Sequence, residues 1–228
     1  MFDTQDQATK PNSHYEQVID VLAERHVKTE AIEMMRQCIG WCSEQKGEFL
    51  VDLILKAKPE IVVEIGVWGG KSLVPMARAL KANKNGVIYG IDPWNPVESL
   101  KEVMEDANRN YWGQIDHLGT KQSLEQNIRN FSLEKNVVLI QSTSEDAAPI
   151  QGIGLLHVDG NHSEKMSYLD VTKWVPFVKS GGYIILDDMT WYEKGNFTTK
   201  KACEWMDANC IKLAEFDDNC KWGLWVKP

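Results

Sequence analysis

Short apolar runs closed by polar residues alternate along the chain with longer stretches in which apolar positions recur every three or four residues. IVVEIG at 61–66, VIYGID at 87–92, VVLIQS at 137–142, GLLHVDG at 154–160 and YIILDD at 183–188 are runs of the first kind, each with its polar residues gathered at the carboxyl end. Unbroken apolar runs of this length suit strands covered on both faces, as in a parallel sheet. Helical spacing separates them, through Leu73, Met76, Ala77 and Leu80 after the first run and through Met166, Leu169, Val171, Trp174 and Val175 within 164–178. Strands alternating with helices predict an α/β fold with a doubly wound, mostly parallel sheet and right-handed crossovers. At the end the pattern changes: IKLAEF at 211–216 and KWGLWVK at 221–227 are joined by Asp217, Asp218 and Asn219. That is a hairpin signal, so seven strands are expected, the last pair forming a terminal antiparallel hairpin.

The flanks are less regular. Residues 1–12 show no apolar period and are read as a flexible lead. From Ser13, read as an N-cap, one helical pattern runs through Val18, Ile19, Val21 and Leu22, a second through Ile32, Met35, Cys38 and Ile39, and a third from Phe49 to Leu55. Three helices are thus expected within an N-terminal segment, 13–58, ahead of the sheet domain at 59–228; covering the site and forming a homodimer contact are both open uses for them. Residues 95–134 exceed what a simple crossover needs and include Tyr111, Trp112 and Gly113, so inserted helices are expected there, with a lid as one use.

Composition then narrows the classes. With 228 residues, 43% of them hydrophobic and 25% charged, the chain can build a full core without disulfides or structural zinc. A net charge of -8 argues against a nucleic-acid partner. Five cysteines with no CxxC pair read as reduced thiols of a cytoplasmic protein. No apolar leader is visible, and no run approaches the roughly 18 apolar residues of a membrane span, so neither secretion nor a membrane partner is expected.

The first strand-to-helix turn, Glu64-Ile65-Gly66-Val67-Trp68-Gly69-Gly70-Lys71-Ser72, lies where open parallel sheets bind ligands. Glycine permits close approach to the backbone, and the next helix offers free N–H groups. A phosphate-cradling GxxxxGK[ST] would need glycine where Ile65 stands, and a dinucleotide GxGxxG would need it at Trp68. The remaining E-x-G-x-x-G-G resembles the first motif of class I S-adenosylmethionine-dependent methyltransferases. Asp92, ending the second strand, suits a ribose diol, a feature shared with NAD enzymes. The resemblance implies a Rossmann-like methyltransferase fold, with cofactor contacts from Glu64, Gly66, Trp68 and Ser72 in the turn, Asp92 on the ribose, Ser144 and Glu145 beside the adenine, and Asp159. An NAD- or nucleotide-dependent enzyme built on the same turn stays open.

Asp159 ends the fourth strand and Asp187 with Asp188 ends the fifth, which brings three carboxylates to one sheet edge. Such a group needs compensating charge, and all-oxygen ligation points to Mg²⁺, with Mn²⁺ or Ca²⁺ as alternatives. The wording D-G-x-H…GG-x-I-x-x-DD resembles the metal-dependent O-methyltransferases, the catechol O-methyltransferase group and, more closely, the macrocin-type sugar O-methyltransferases. It implies that Asp159, Asp187 and Asp188 hold the cation and that His162 stands at the position of the catalytic base. That base is a lysine in the catechol group, and Asn161 replaces an acid often found in the motif. The function so implied is methyl transfer to a hydroxyl of a small molecule, such as a sugar, polyketide or phenol; a catalytically inactive cofactor-binding module is the other reading. His157, inside an apolar run, reads as a satisfied core residue. Trp68, Trp94, Trp112, Trp191 and Tyr192 are candidates for pocket walls, whereas Trp174, Trp222 and Trp225 read as structural.

Overall fold

The computed structural model describes residues 13–102, 105–218 and 220–228, with side chains from Val21 onward. The expected lead at 1–12 and the hairpin residue Asn219 lie outside them. Two helices, α1 (Ser13–Met35) and α2 (Glu44–Ala57), precede the sheet where three were expected. Neither proline nor glycine occurs between Ser13 and Met35, so nothing stops the first pattern from running into the second.

Five strands then follow the expected order: β1 (Ile61–Ile65), β2 (Val87–Asp92), β3 (Val137–Gln141), β4 (Ile153–Val158) and β5 (Val178–Leu186). The first crossover carries α3 (Leu73–Asn83). Between β2 and β3 lie α4 (Pro96–Ser99), α5 (Asp106–Gln114) and α6 (His117–Asn130), and α7 (Glu164–Trp174) leads to β5. After β5 come a small hairpin of β6 (Tyr192–Glu193) and β7 (Asn196–Phe197), then α8 (Lys200–Asn209), β8 (Ile211–Phe216) and β9 (Trp222–Val226). The main sheet has seven strands in the order β3-β2-β1-β4-β5-β9-β8, with β9 antiparallel to both its neighbours and the remaining pairs parallel. The α7 helix is shorter than its pattern, because Pro176 falls in a 3-10 turn at 175–177 and β5 begins directly after it. The β6–β7 hairpin was not anticipated; its turn, Lys194-Gly195, has both φ values positive, at 45° and 88°.

Alternation along the strands divides the core. Val62 faces a cluster with Leu50, Ile54, Leu73 and Leu80 from α2 and α3, while Val63 and Ile65 face a cluster with Val171, Trp174 and Met206 from α7 and α8. No helix among the described residues is long and apolar enough to cross a membrane.

Candidate functional site

Strand order reverses between β1 and β4, and beyond their carboxyl ends opens a cavity of about 680 Å³ lined in part by Gly66, Trp68, Asp92, Asp159, His162 and Asp188. Gly66 sets its floor. Its φ is +84°, and a Cβ there would lie 1.9 Å from the carbonyl oxygen of Asp159, so only glycine lets β1 turn this close to β4. Glu64, fully buried, accepts from Ser72 Oγ at 2.5 Å and from His157 Nδ1 at 2.8 Å through Oε1; its Oε2 is buried without a partner. Asp92 accepts from the N–H groups of Val67 (3.1 Å) and Trp68 (2.9 Å) on one oxygen and of Trp94 (2.7 Å) on the other. Burial nonetheless pushes its carboxyl above the ordinary range. This one side chain therefore gathers the glycine turn and the β2 end into a single edge.

The two residues expected beside an adenine separate. Ser144 is buried at the cavity and its hydroxyl donates to Asp170, while Glu145 is exposed, outside the cavity lining, and pairs with Lys101 at 3.7 Å. Asp170 is 1% exposed, and burial raises it to about 7 against the pull of Ser144. The unfolded carboxyl binds its proton only below about 4, so the folded state holds more protons between there and 7 and loses up to about 4 kcal/mol of stability across that window as pH rises. Asp170→Asn should flatten this dependence and raise the melting temperature most near pH 8 or so. A melting profile against pH with the wild-type slope would show that Asp170 does not carry it.

Across the cavity, Asp159 follows β4 and Asp187 with Asp188 follows β5. The ligand atoms of His157, Asp159 and Asp187 lie within 4.8 Å of one another, and so do those of Asp159, His162 and Asp188. Asp159 is thus shared, and each grouping brings in an imidazole beside the expected carboxylates. Burial, then the charge of Asp187, pushes Asp159 well above the usual carboxylate range. Burial alone would raise Asp187 too, but Lys46 and His157 outweigh it and hold it well below that range. His162 Nε2 stands 2.8 Å from Asp188 Oδ2, and its ring lies 4.6 Å from that of Trp191. Burial works against its protonation, and Asp188 outweighs it, so its pKa is raised.

Lys46 is the residue that the sequence reading missed. It reaches this edge from the first turn of α2, only 3% exposed, donates to Asp187, and has Nζ 3.1 Å from His157 Nε2. Burial and then the Lys46 charge work against protonation of His157, but Asp187 and Glu64 outweigh them and raise its pKa to about 9. His157 is accordingly the satisfied core residue expected of it. A signal for Lys46 does exist: Lys46, Leu50 and Ile54 fall at i, i+4 and i+8, which puts a lysine on the apolar stripe of α2.

Aromatic rings wall the other side. Trp41, in the linker between α1 and α2, stacks on Trp68 with centroids 4.5 Å apart, and Trp112 of α5 meets both edge-on at 5.8 and 5.5 Å. Trp191 also lines the cavity. Trp94 is instead buried in the core with its Nε1 donating to Trp68 O at 2.8 Å, and Tyr192 is exposed against Phe197 in the small hairpin. Trp174 and Trp225 are core residues; Trp222 is both buried and part of the cavity wall. Nothing in the sequence marked Trp41, because its role depends on where the linker crosses the glycine turn.

Solved structures share this architecture. SAH-bound methyltransferase PaMTH1 of Podospora anserina superposes with a TM-score of 0.61 at 12% identity, covering 96% of this chain and 97% of that one. The O-methyltransferase NovP gives 0.60 at 20% identity over 81% and 80%. TomG of Streptomyces achromogenes, an O-methyltransferase involved in tomaymycin synthesis and solved with SAM, gives 0.59 at 14% over 88% and 89%. These likenesses establish the fold. No curated protein matches the chain significantly. Residues 63–189, more than half of the chain, match the family model described as a methyltransferase domain, and the chain belongs to that family.

Proposed function

We propose that the protein is an S-adenosylmethionine-dependent O-methyltransferase acting on a hydroxyl of a small molecule, with a divalent cation at its carboxylates. The observation that carries this reading is the single cavity edge on which Gly66, Trp68 and Asp92 face Asp159 and His162. The turn fits the cofactor's methionine end: Gly66 brings bare backbone to the cavity, while Glu64, fully buried and outside the cavity lining, braces the turn from behind through Ser72. Asp92 already accepts three backbone N–H groups, and a carboxylate has about four acceptor sites, so it offers about one more to a ribose hydroxyl.

S-Adenosylmethionine supplies a methyl group on a sulfonium, and a divalent ion supplies Lewis acidity toward the acceptor oxygen. The ion, Mg²⁺ in this reading with Mn²⁺ or Ca²⁺ as alternatives, would be held by Asp159, Asp187 and Asp188, whose oxygen donors suit it. His162 takes the hydroxyl proton, and Asp188 at 2.8 Å orients its ring and strengthens it as a base. The aromatic wall excludes water and fixes the acceptor's orientation, where most of the rate arises. The transferase domain in this reading is 59–228, helices 13–58 supply one wall, and the insertion 95–134 serves as a lid through Tyr111 and Trp112. All five cysteines are free, which supports a cytoplasmic setting. The involvement of TomG in tomaymycin synthesis supports a small-molecule acceptor.

Incubation with S-adenosylmethionine and a panel of sugar, polyketide and phenolic hydroxyls should release S-adenosylhomocysteine with at least one acceptor, and less of it in EDTA. Cofactor binding with no product across the panel would favour the inactive binding module.

A further inference from the structure

Lys46 is out of place by the rules that build α2. It occupies the third position of the helix, where the N-terminal dipole disfavours a cation, and it stands on the stripe that buries Leu50 and Ile54. The helix is nevertheless held so that it cannot turn this residue outward. Ser43 caps it, accepting from Lys46 N–H at 3.1 Å, and its hydroxyl is tied to Asp218. Gly47 brings α2 against α1 so closely that a Cβ there would lie 2.5 Å from Met35 Sδ. A buried lysine that violates two local preferences and is locked by three contacts is a feature of the site more than of the fold.

We infer that Lys46 is a positioning residue that serves as the resident cation of the carboxylate cluster, keeping it assembled without a divalent ion and weakening the affinity for one. The inference rests on the proposed metal site but not on methyl transfer itself. Its ammonium donates to Asp187 and contacts His157, which in turn holds Glu64 and through it Ser72. One buried chain of polar contacts thus runs from the glycine turn to the end of β5. The positive charge offsets Asp187 and neighbouring Asp159, and it occupies one oxygen of Asp187 that an ion would otherwise take. A like charge this close also repels any entering divalent cation.

The test uses Mn²⁺ as the probe, followed by electron paramagnetic resonance, on wild-type protein and on Lys46→Met, which keeps the length of the side chain and removes its charge. The variant should bind Mn²⁺ about tenfold or more tightly than wild type. It should also melt lower than wild type in EDTA and gain more from millimolar Mn²⁺ than the wild type does. Equal or weaker Mn²⁺ binding by the variant, or binding by neither protein, would overturn the inference, since a lysine that merely fills space would leave affinity unmoved. Should the variant fold in neither buffer, the wild type decides: wild-type protein that unfolds in EDTA and refolds only with Mn²⁺ means the cluster depends on a metal and not on Lys46. Failure of the wild type to release S-adenosylhomocysteine would count against the proposed reaction and leave these readouts intact.

Discussion

Gly66→Ala is expected to remove much of the protein's stability and, with it, the cavity floor. A non-glycine residue at φ +84° costs on the order of 1–3 kcal/mol by itself. The new Cβ would also lie 1.9 Å from the Asp159 carbonyl oxygen, 2.5 Å from its carbon and 2.8 Å from Gly160 Cα. All three are backbone atoms, so no side chain can rotate away and β1 must separate from β4. Overpacking of this kind adds about 1–3 kcal/mol, giving a total of about 2–6 kcal/mol against a typical stability of about 5–15 kcal/mol. Urea denaturation should show a lowered midpoint with an unchanged slope. Any folded fraction should have lost its cofactor affinity, because the displaced backbone carries Asp159. A midpoint within about 1 kcal/mol of wild type would mean that the turn is looser than described.

Asp92→Ala should act on binding more than on stability. The carboxylate holds three N–H groups, those of Val67, Trp68 and Trp94, and these fix Trp68 in its own positive-φ conformation at 45°. Water can replace part of what is lost, so the cost to folding should be about 2 kcal/mol. The ligand loses both its acceptor and the shape of the turn, and affinity for S-adenosylmethionine should fall about 100-fold or more. Asp92→Asn keeps one oxygen acceptor and should fall between the two. Titration calorimetry with each variant reads this order directly, and an alanine variant that binds like wild type would remove Asp92 from the cofactor site.

The strands were legible because they read as apolar runs that end in polar residues, with β1 and β4 at the centre buried almost throughout, so that Asp92, Asp159, Asp187 and Asp188 could be set on one edge of the sheet from the text alone. The start of β5 was not: Pro176 ends the helix early, and Lys179, Ser180, Gly181 and Gly182 give a strand that does not read as apolar. Contacts between distant segments were equally hidden. Lys46 meets Asp187 across 141 positions, and no local pattern encodes that the first turn of α2 ends over β5. Trp41 shows the same limit, since the isolated bridge between Ile39 and Gly70 is what lays its linker across the glycine turn. Ser144 lies at the cavity, but its hydroxyl is bonded to Asp170, a partner 26 residues away on α7.

The glycine turn and Asp92 are together proposed to hold S-adenosylmethionine. Titration calorimetry of the purified protein with S-adenosylmethionine, run beside NAD and ATP, tests it most directly. One site of about micromolar affinity for S-adenosylmethionine is expected, with no heat from the other two. Binding of NAD or ATP in the absence of any response to S-adenosylmethionine would contradict it and assign the glycine turn to a nucleotide.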